Sequence, residues 1–212
     1  MKKLAFVLLF CAFANSYGQY TSASIKLGTF VPDATDAGFV LGYMGGKYID
    51  ENLDIGWSVD WFHKTYVDKS LVTELNNQIG IPNAEINELR ARTNLHDIPV
   101  LFNMVGHFPL DHRKLRAYVT GGIGAEILLV FYRDFTNPDE DDLQVAFDFS
   151  WRLGAGVTYE LGKRSDLLAE IGYHSSEPSW TYEVDDNNVT RTFERRFDMS
   201  GFMFRVGVRL FY

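Results

Sequence analysis

Cysteine is nearly absent from this sequence, since Cys11 is the only one among 212 residues. It lies within an apolar run, residues 4–14, that follows two lysines and precedes small and polar residues, which is typical of a secretory signal peptide. We therefore expect residues 1–18 to be a signal peptide and residues 19–212 to form one domain. An exported chain without cysteine excludes disulfides and thiol catalysis, and leaves only histidine and carboxylates as zinc ligands.

Positive charge and long apolar runs are also scarce. The chain has 20 basic and 28 acidic residues, and loss of the two signal-peptide lysines leaves a formal charge of −10. Phosphate binding needs clustered positive charge, so the sequence argues against nucleic acid as a partner. Beyond the signal, the longest apolar run, Ile127–Tyr132, is far shorter than a membrane-spanning helix. The exported protein is therefore either soluble or crosses a membrane as strands.

Apolar and polar residues alternate along much of the chain, which predicts β-strands. In Leu53–Phe62, for example, Leu53, Ile55, Trp57, Val59 and Trp61 share one face. The eight predicted strands are Ser24–Val31, Gly38–Tyr48, Leu53–Phe62, Asp97–Phe108, Leu115–Val130, Val145–Tyr159, Asp166–His174 and Phe202–Tyr212.

The connections between these strands follow a pattern. Short polar turns come after the second, fourth and sixth strands, and long segments, Lys69–His96, Arg133–Gln144 and Ser175–Asp198, come after the third, fifth and seventh. Leucines spaced by four residues predict short helices in the first long segment. Tight turns at one rim and long loops at the other are typical of an outer-membrane barrel.

Side-chain volume predicts which face of the strands points outward. An eight-stranded barrel has an interior just wide enough for side chains to fill. Aromatic residues dominate one face of the predicted strands, and glycine and serine are frequent on the other. We expect the aromatic face to contact lipid, because no soluble monomer exposes so large an apolar surface. The sheet must then close, since lipid cannot satisfy backbone amides.

The last eight residues, RVGVRLFY, resemble the C-terminal β-signal of outer-membrane proteins. The matching positions are Arg205, Gly207, Leu210 and Tyr212. Two internal stretches, His96–Phe108 and Leu115–Ile127, resemble strands of the small OmpA- and OmpX-like outer-membrane β-barrel domain family, to which PorT-like secretion subunits are also similar.

This resemblance implies an all-β, eight-stranded, antiparallel, up-and-down transmembrane barrel in the outer membrane of a Gram-negative-type bacterium. It implies contact with outer-membrane lipid and lipopolysaccharide, and with the barrel-assembly machinery during insertion. The external loops would bind envelope proteins. We expect a non-enzymatic protein with a structural or loop-mediated binding role, or a subunit of an envelope or secretion complex, and we expect no cofactor or metal.

Charged residues on the inward face must pair, because an isolated ion away from water is costly. The predicted lumen ion-pair network comprises Lys26, Asp60, Glu126, Asp148, Arg152, Glu170, Arg205 and Arg209. We favour a polar plug that fixes strand register. The alternative is a small gated channel in which Glu126 or Glu170 exchanges between Arg152 and Arg205.

A second alternative concerns His174 and Ser176, which are two residues apart and therefore on one strand face. They resemble the His-x-Ser segment of the lipid A 3-O-deacylase, an outer-membrane hydrolase, with Glu183, Asp185 and Asp186 as candidates for its orienting acid. In that enzyme asparagine follows the serine, whereas Glu177 follows here. The default interpretation is an ordinary rim histidine.

An acidic segment, Asn137–Asp142, offers oxygen ligands for calcium. It lacks the glycine and the glutamate spacing of an EF-hand loop, so we interpret it as a solvated loop tip.

Overall fold

The computed structural model describes residues 22–67, 92–111, 113–133, 141–186 and 189–212. The predicted signal peptide, the helices predicted in the first long segment and residues 137–140 of the acidic segment lie outside these residues. The described residues include no helix that is long and apolar enough to span a bilayer.

The described chain forms ten β-strands. They are β1 (Ser22–Pro32), β2 (Gly38–Tyr48), β3 (Leu53–Val67), β4 (Arg92–Pro109), β5 (Leu115–Arg133), β6 (Asp141–Gly162), β7 (Ser165–Ser175), β8 (Ser179–Asp186), β9 (Val189–Arg196) and β10 (Gly201–Phe211).

Eight of these strands close into an antiparallel barrel in the order β1-β10-β7-β6-β5-β4-β3-β2. The predicted fold class is confirmed, and each predicted strand corresponds to one barrel strand. Strand lengths were predicted less well. Strands β4, β5 and β6 have 18, 19 and 22 residues, about twice what a tilted strand needs to cross a bilayer. One side of the barrel therefore extends past the membrane at the rim opposite the termini.

The barrel closes between its first and last strands. Ser22 pairs with Phe211 at one end of this seam, and Pro32 pairs with Gly201 at the other. The backbones approach closely, so a Cβ on Gly28 would overlap the carbonyl oxygen of Phe204. Glycine at this position is therefore a steric requirement of closure.

The outward face of the barrel is aromatic and aliphatic, as predicted. Phe147 and Phe149 are 68% and 61% exposed, and the other large outward residues include Trp57, Trp61, Trp151, Tyr159, Phe202 and Phe204. The opposite phase points into the lumen, where Ser58 and Ser150 are buried. The prediction that the rings face outward is confirmed.

The lumen is not polar throughout, and in this respect the prediction is wrong. Its external end holds a buried apolar cluster, hereafter the apolar cap: Phe30, Val40, Phe62, Leu95, Leu128, Val130, Ala146, Phe197, Met199 and Met203. Phe30 and Phe62 meet edge to face with their ring centroids 5.2 Å apart. This interior is a packed core, because the extended strands enclose it above the charged residues.

The seventh connection, predicted as a long loop, contains the β8–β9 hairpin, which forms a separate two-stranded sheet. An isolated hairpin of this kind is marginally stable in water. Here Trp180 stacks on Phe197 at 5.3 Å, and Phe197 belongs to the apolar cap. The hairpin is therefore anchored to the barrel interior.

Candidate functional site

The centre of the lumen contains five charged side chains in one connected network. Asp60 accepts from Arg205 Nη1 at 2.9 Å through Oδ1 and contacts Arg152 through Oδ2. Glu170 accepts from Lys26 Nζ at 2.7 Å and from Arg205 Nε at 3.1 Å. All five residues are at most 5% exposed. Arg205 joins the two carboxylates, so the five side chains form one network. Their burial shields this network from water.

Strand register and small residues create the space for this network. Arg205 and Glu170 are direct partners across β10 and β7. Asp60 lies opposite Gly42 across β3 and β2, and a Cβ on Gly42 would overlap its carboxylate. The glycine thus leaves the space that Asp60 needs to reach the arginines.

A second polar layer lies nearer the end of the barrel where the chain terminates. Asp54 Oδ2 is 3.2 Å from His107 Nε2 and 3.7 Å from Arg209 Nη1. Arg209 also donates to the hydroxyl of Tyr48 at 3.3 Å. Arg209 was predicted to join the central network, but its described contacts are in this separate layer.

Tyr118 connects the two layers. Its hydroxyl donates to Glu170 Oε2 at 3.0 Å, and its ring lies 6.0 Å from the Arg209 guanidinium. Neither Tyr118 nor Asp54 was included in the predicted ion-pair network, although both lie on the inward phase of their strands.

Glu126 occupies a third cluster, close to the apolar cap. Its Oε2 atom lies 2.5 Å from Nε2 of His174, and its Oε1 atom accepts from the hydroxyl of Ser176, also at 2.5 Å. A carboxylate oxygen of Asp97 lies within 4.8 Å of one from Glu126. The gate hypothesis placed Glu126 between Arg152 and Arg205, whereas its described contacts hold it against His174 and Ser176.

The contacts of His174 and Ser176 differ from those of a hydrolase triad. In a triad the base contacts the nucleophile, and the acid lies behind the base. Here the hydroxyl of Ser176 donates to Glu126, so the carboxylate lies between serine and histidine. His174 is fully buried inside the barrel. The suggested orienting acids Glu183, Asp185 and Asp186 belong to β8, and Glu126 is the acid that contacts His174.

Asp148 lies at the rim, apart from the central network. Its Oδ2 atom accepts from the backbone N–H of Glu177 at 2.6 Å. Its side chain is half-buried, and it borders a cleft of about 450 Å³ lined also by Ser176, Glu177 and Arg196. The contact described for Asp148 thus ties β6 to the chain that leads into the hairpin.

Exposed charges surround the base of the hairpin. Arg196 lies 3.1 Å from Glu177 and 3.4 Å from Glu194. A hydrogen bond from Ser179 and the charge of Arg196 lower the pKa of the Glu194 carboxyl below its ordinary value. The acidic segment ends in β6, which begins with Asp141 and Asp142.

The four residues of the predicted assembly signal lie in or just after the closing strand. Arg205 points into the central network, Leu210 is half exposed on the outer wall, and Tyr212 follows β10 at the rim. A Cβ on Gly207 would overlap the carbonyl oxygen of Ile25, so this glycine is also needed for closure. Recognition by an assembly machinery stays a prediction.

The chain matches the family described as outer membrane protein beta-barrel domain over residues 4–197. Its fold is similar to the crystal structure of Neisserial surface protein A, with a TM-score of 0.54, 13% identity, and coverage of 91% of this chain and 96% of that one. It is also similar to a major outer membrane protein from Thermus thermophilus, with a TM-score of 0.53, 13% identity, and coverage of 91% and 99%. No curated protein sequence matches significantly.

These observations define a class of protein: a small, closed, eight-stranded barrel with a lipid-facing aromatic wall. The chain belongs to the outer-membrane β-barrel domain family. It is a protein of the outer membrane of a Gram-negative-type bacterium.

Proposed function

We propose that this barrel is a non-enzymatic, non-conducting surface protein that binds an envelope protein through its β8–β9 hairpin. The observation that carries the proposal is the hairpin itself. Within the described residues, β8 and β9 pair only with each other, so each offers an edge of unpaired backbone groups. Such edges bind extended segments of other chains by adding a strand.

The filled lumen supports a role at the outside of the barrel. The central network, the polar layer below it and the apolar cap above it occupy the lumen in succession. A lumen packed in this way leaves no wide water-filled path. The barrel then acts as a rigid anchor that presents the hairpin at the cell surface.

Photo-crosslinking from defined positions tests the binding role. Photoreactive residues replace Thr181 in β8 or Thr192 in β9, which are both exposed. Lys163, an exposed residue in the β6–β7 turn at the opposite rim, is the matched control. We expect both hairpin positions to form an adduct with the same envelope protein in intact cells, and Lys163 to form none with it.

Two results would contradict the binding role. One is the absence of any adduct from either hairpin position. The other is an equal yield of the same adduct from Lys163, since that would show contact without selectivity for the hairpin.

Lipid A deacylation is less well supported, because Ser176 donates to Glu126 and not to His174. We expect a Ser176→Ala variant to leave the acyl-chain number of the host's lipid A unchanged, as measured by mass spectrometry. Gain of one acyl chain in the variant would instead establish the hydrolase.

A further inference from the structure

We propose that Asp97, Glu126 and His174 bind one divalent transition-metal ion inside the barrel. The three residues come from β4, β5 and β7, and each offers a ligand atom within 4.8 Å of the other two. Their exposed fractions are 1%, 0% and 0%. Asp97 and His174 lie on strands that are not neighbours, so the cluster spans the lumen.

An unpartnered atom of this cluster supports a bound ion. Oδ1 of Asp97 is buried without a hydrogen-bond partner. Asp97 and Glu126 each place a carboxylate oxygen within 4.8 Å of the other. Two adjacent buried carboxylates repel each other unless a proton or a cation lies between them. Arg152 already pairs with Asp60, so it does not serve as the cation between Asp97 and Glu126.

The donor set indicates the kind of ion. One imidazole nitrogen and two carboxylate oxygens suit Zn²⁺ and similar first-row divalent ions. Ca²⁺ needs six or more oxygen ligands, which three side chains do not supply. Tetrahedral ligands at zinc-like bond lengths lie roughly 3.3 Å apart. His174 Nε2 and Glu126 Oε2 are 2.5 Å apart, so the ion would replace their shared proton and widen this contact slightly.

Ser176 connects the cluster to the outside. Its hydroxyl donates to Glu126, and the residue also lines the rim cleft between Asp148 and Glu177. Arg196 also lines this cleft and pairs with Glu177, so Asp148 gives the mouth a net negative charge that favours entry of a cation.

Metal content and stability of the folded barrel in detergent test the proposal without any assay of activity. Surface histidines could bind metal too, because the rings of His63 and His96 stack at 4.5 Å on the outer wall. The test therefore uses a His63→Gln/His96→Gln background. After treatment with EDTA, Zn²⁺ is added and bound metal is counted. Co²⁺ is used in parallel, because its visible spectrum reports nitrogen and oxygen coordination.

The matched control is Asp54→Asn. Asp54 is another buried lumen carboxylate with a histidine partner, His107, but it lies outside the cluster. We expect one ion per chain in the background protein and in Asp54→Asn. We expect Glu126→Gln and Asp97→Asn to weaken binding at least about tenfold. A folded barrel runs faster on a gel than the same protein unfolded by boiling, so the temperature at which the band shifts measures stability. Zinc should raise this temperature only where the cluster is intact.

Three results would overturn the proposal. One is folded background protein that takes up neither Zn²⁺ nor Co²⁺. Another is binding in Glu126→Gln that equals the background. The third is an equal loss of binding in Asp54→Asn. In each case the carboxyl groups of Asp97 and Glu126 would share a proton and bind no metal ion.

Discussion

The two ends of the lumen are filled by opposite chemistry. The centre and the terminal end contain buried ions paired around Arg205, Asp60 and Asp54. The external end contains the apolar cap. Paired ions hold their positions through directional contacts, whereas the cap excludes water through close packing. The interior thus combines a region that specifies strand register with a region that seals the barrel where its strands leave the membrane.

The largest expected effect comes from the ionic region. Arg205→Met leaves Asp60 and Glu170 without their shared cation, so we expect a loss of about 3–5 kcal/mol in unfolding free energy. Urea titration in detergent, followed by tryptophan fluorescence, measures it. Arg116→Met, at an exposed arginine, is the control. A change below about 1 kcal/mol in Arg205→Met would show that the network does not hold the barrel together.

The apolar cap is tested by Phe62→Ala. Phe62 is 1% exposed, so its truncation leaves a cavity and should cost about 3 kcal/mol in the same titration. Phe108→Ala serves as the control, because its ring is 52% exposed on the outer wall. Equal effects of the two substitutions would contradict the packed-core description of the external lumen.

The outer wall differs from both lumen regions, because its large side chains contact lipid. Phe204 is 52% exposed near the middle of β10, so we expect Phe204→Arg to cost about 2 kcal/mol in lipid vesicles. Phe204→Leu keeps an apolar surface and should cost much less. If the arginine variant proves as stable as the leucine variant in vesicles, residue 204 does not face hydrocarbon.

The smallest effect is expected at the exposed hairpin. Arg196 pairs with Glu177 and Glu194 where both partners are about half exposed, and such pairs contribute little. Arg196→Ala should leave the midpoint of the urea titration unchanged within error. A loss comparable to that of Arg205→Met would mean that the hairpin charges are structural.

The strands and their two faces were predictable, because lipid and lumen impose opposite requirements on alternate residues. The hairpin had a detectable signal too, since Trp180, Tyr182 and Val184 alternate before the polar sequence DDNN. It was hidden by the assumption that long connections are loops. The full length of β6 was harder to predict, because its first four residues, 141–144, contain one apolar residue, Leu143, and so show no alternation.

The site was predictable only in part. Inward phase identified the charged residues, and applying it to Asp97, the first residue of the fourth predicted strand, would have added that carboxyl. Phase alone does not say which inward groups meet. Glu126 on β5 reaches His174 on β7 across a strand that lies between them, which depends on stagger and barrel curvature. The apolar cap was missed because Phe62 lies on the face expected to be polar, and Leu95 fell in a segment predicted as a long connection.

The central claim is that the lumen is filled and the protein works from its surface. Conductance recorded from folded protein in planar bilayers tests it most directly. Wild-type protein is predicted to produce no current steps at any applied voltage that the bilayer withstands. Reproducible, uniform steps from the wild-type barrel would contradict the account, because ions would then pass where the ion pairs and the apolar cap are placed.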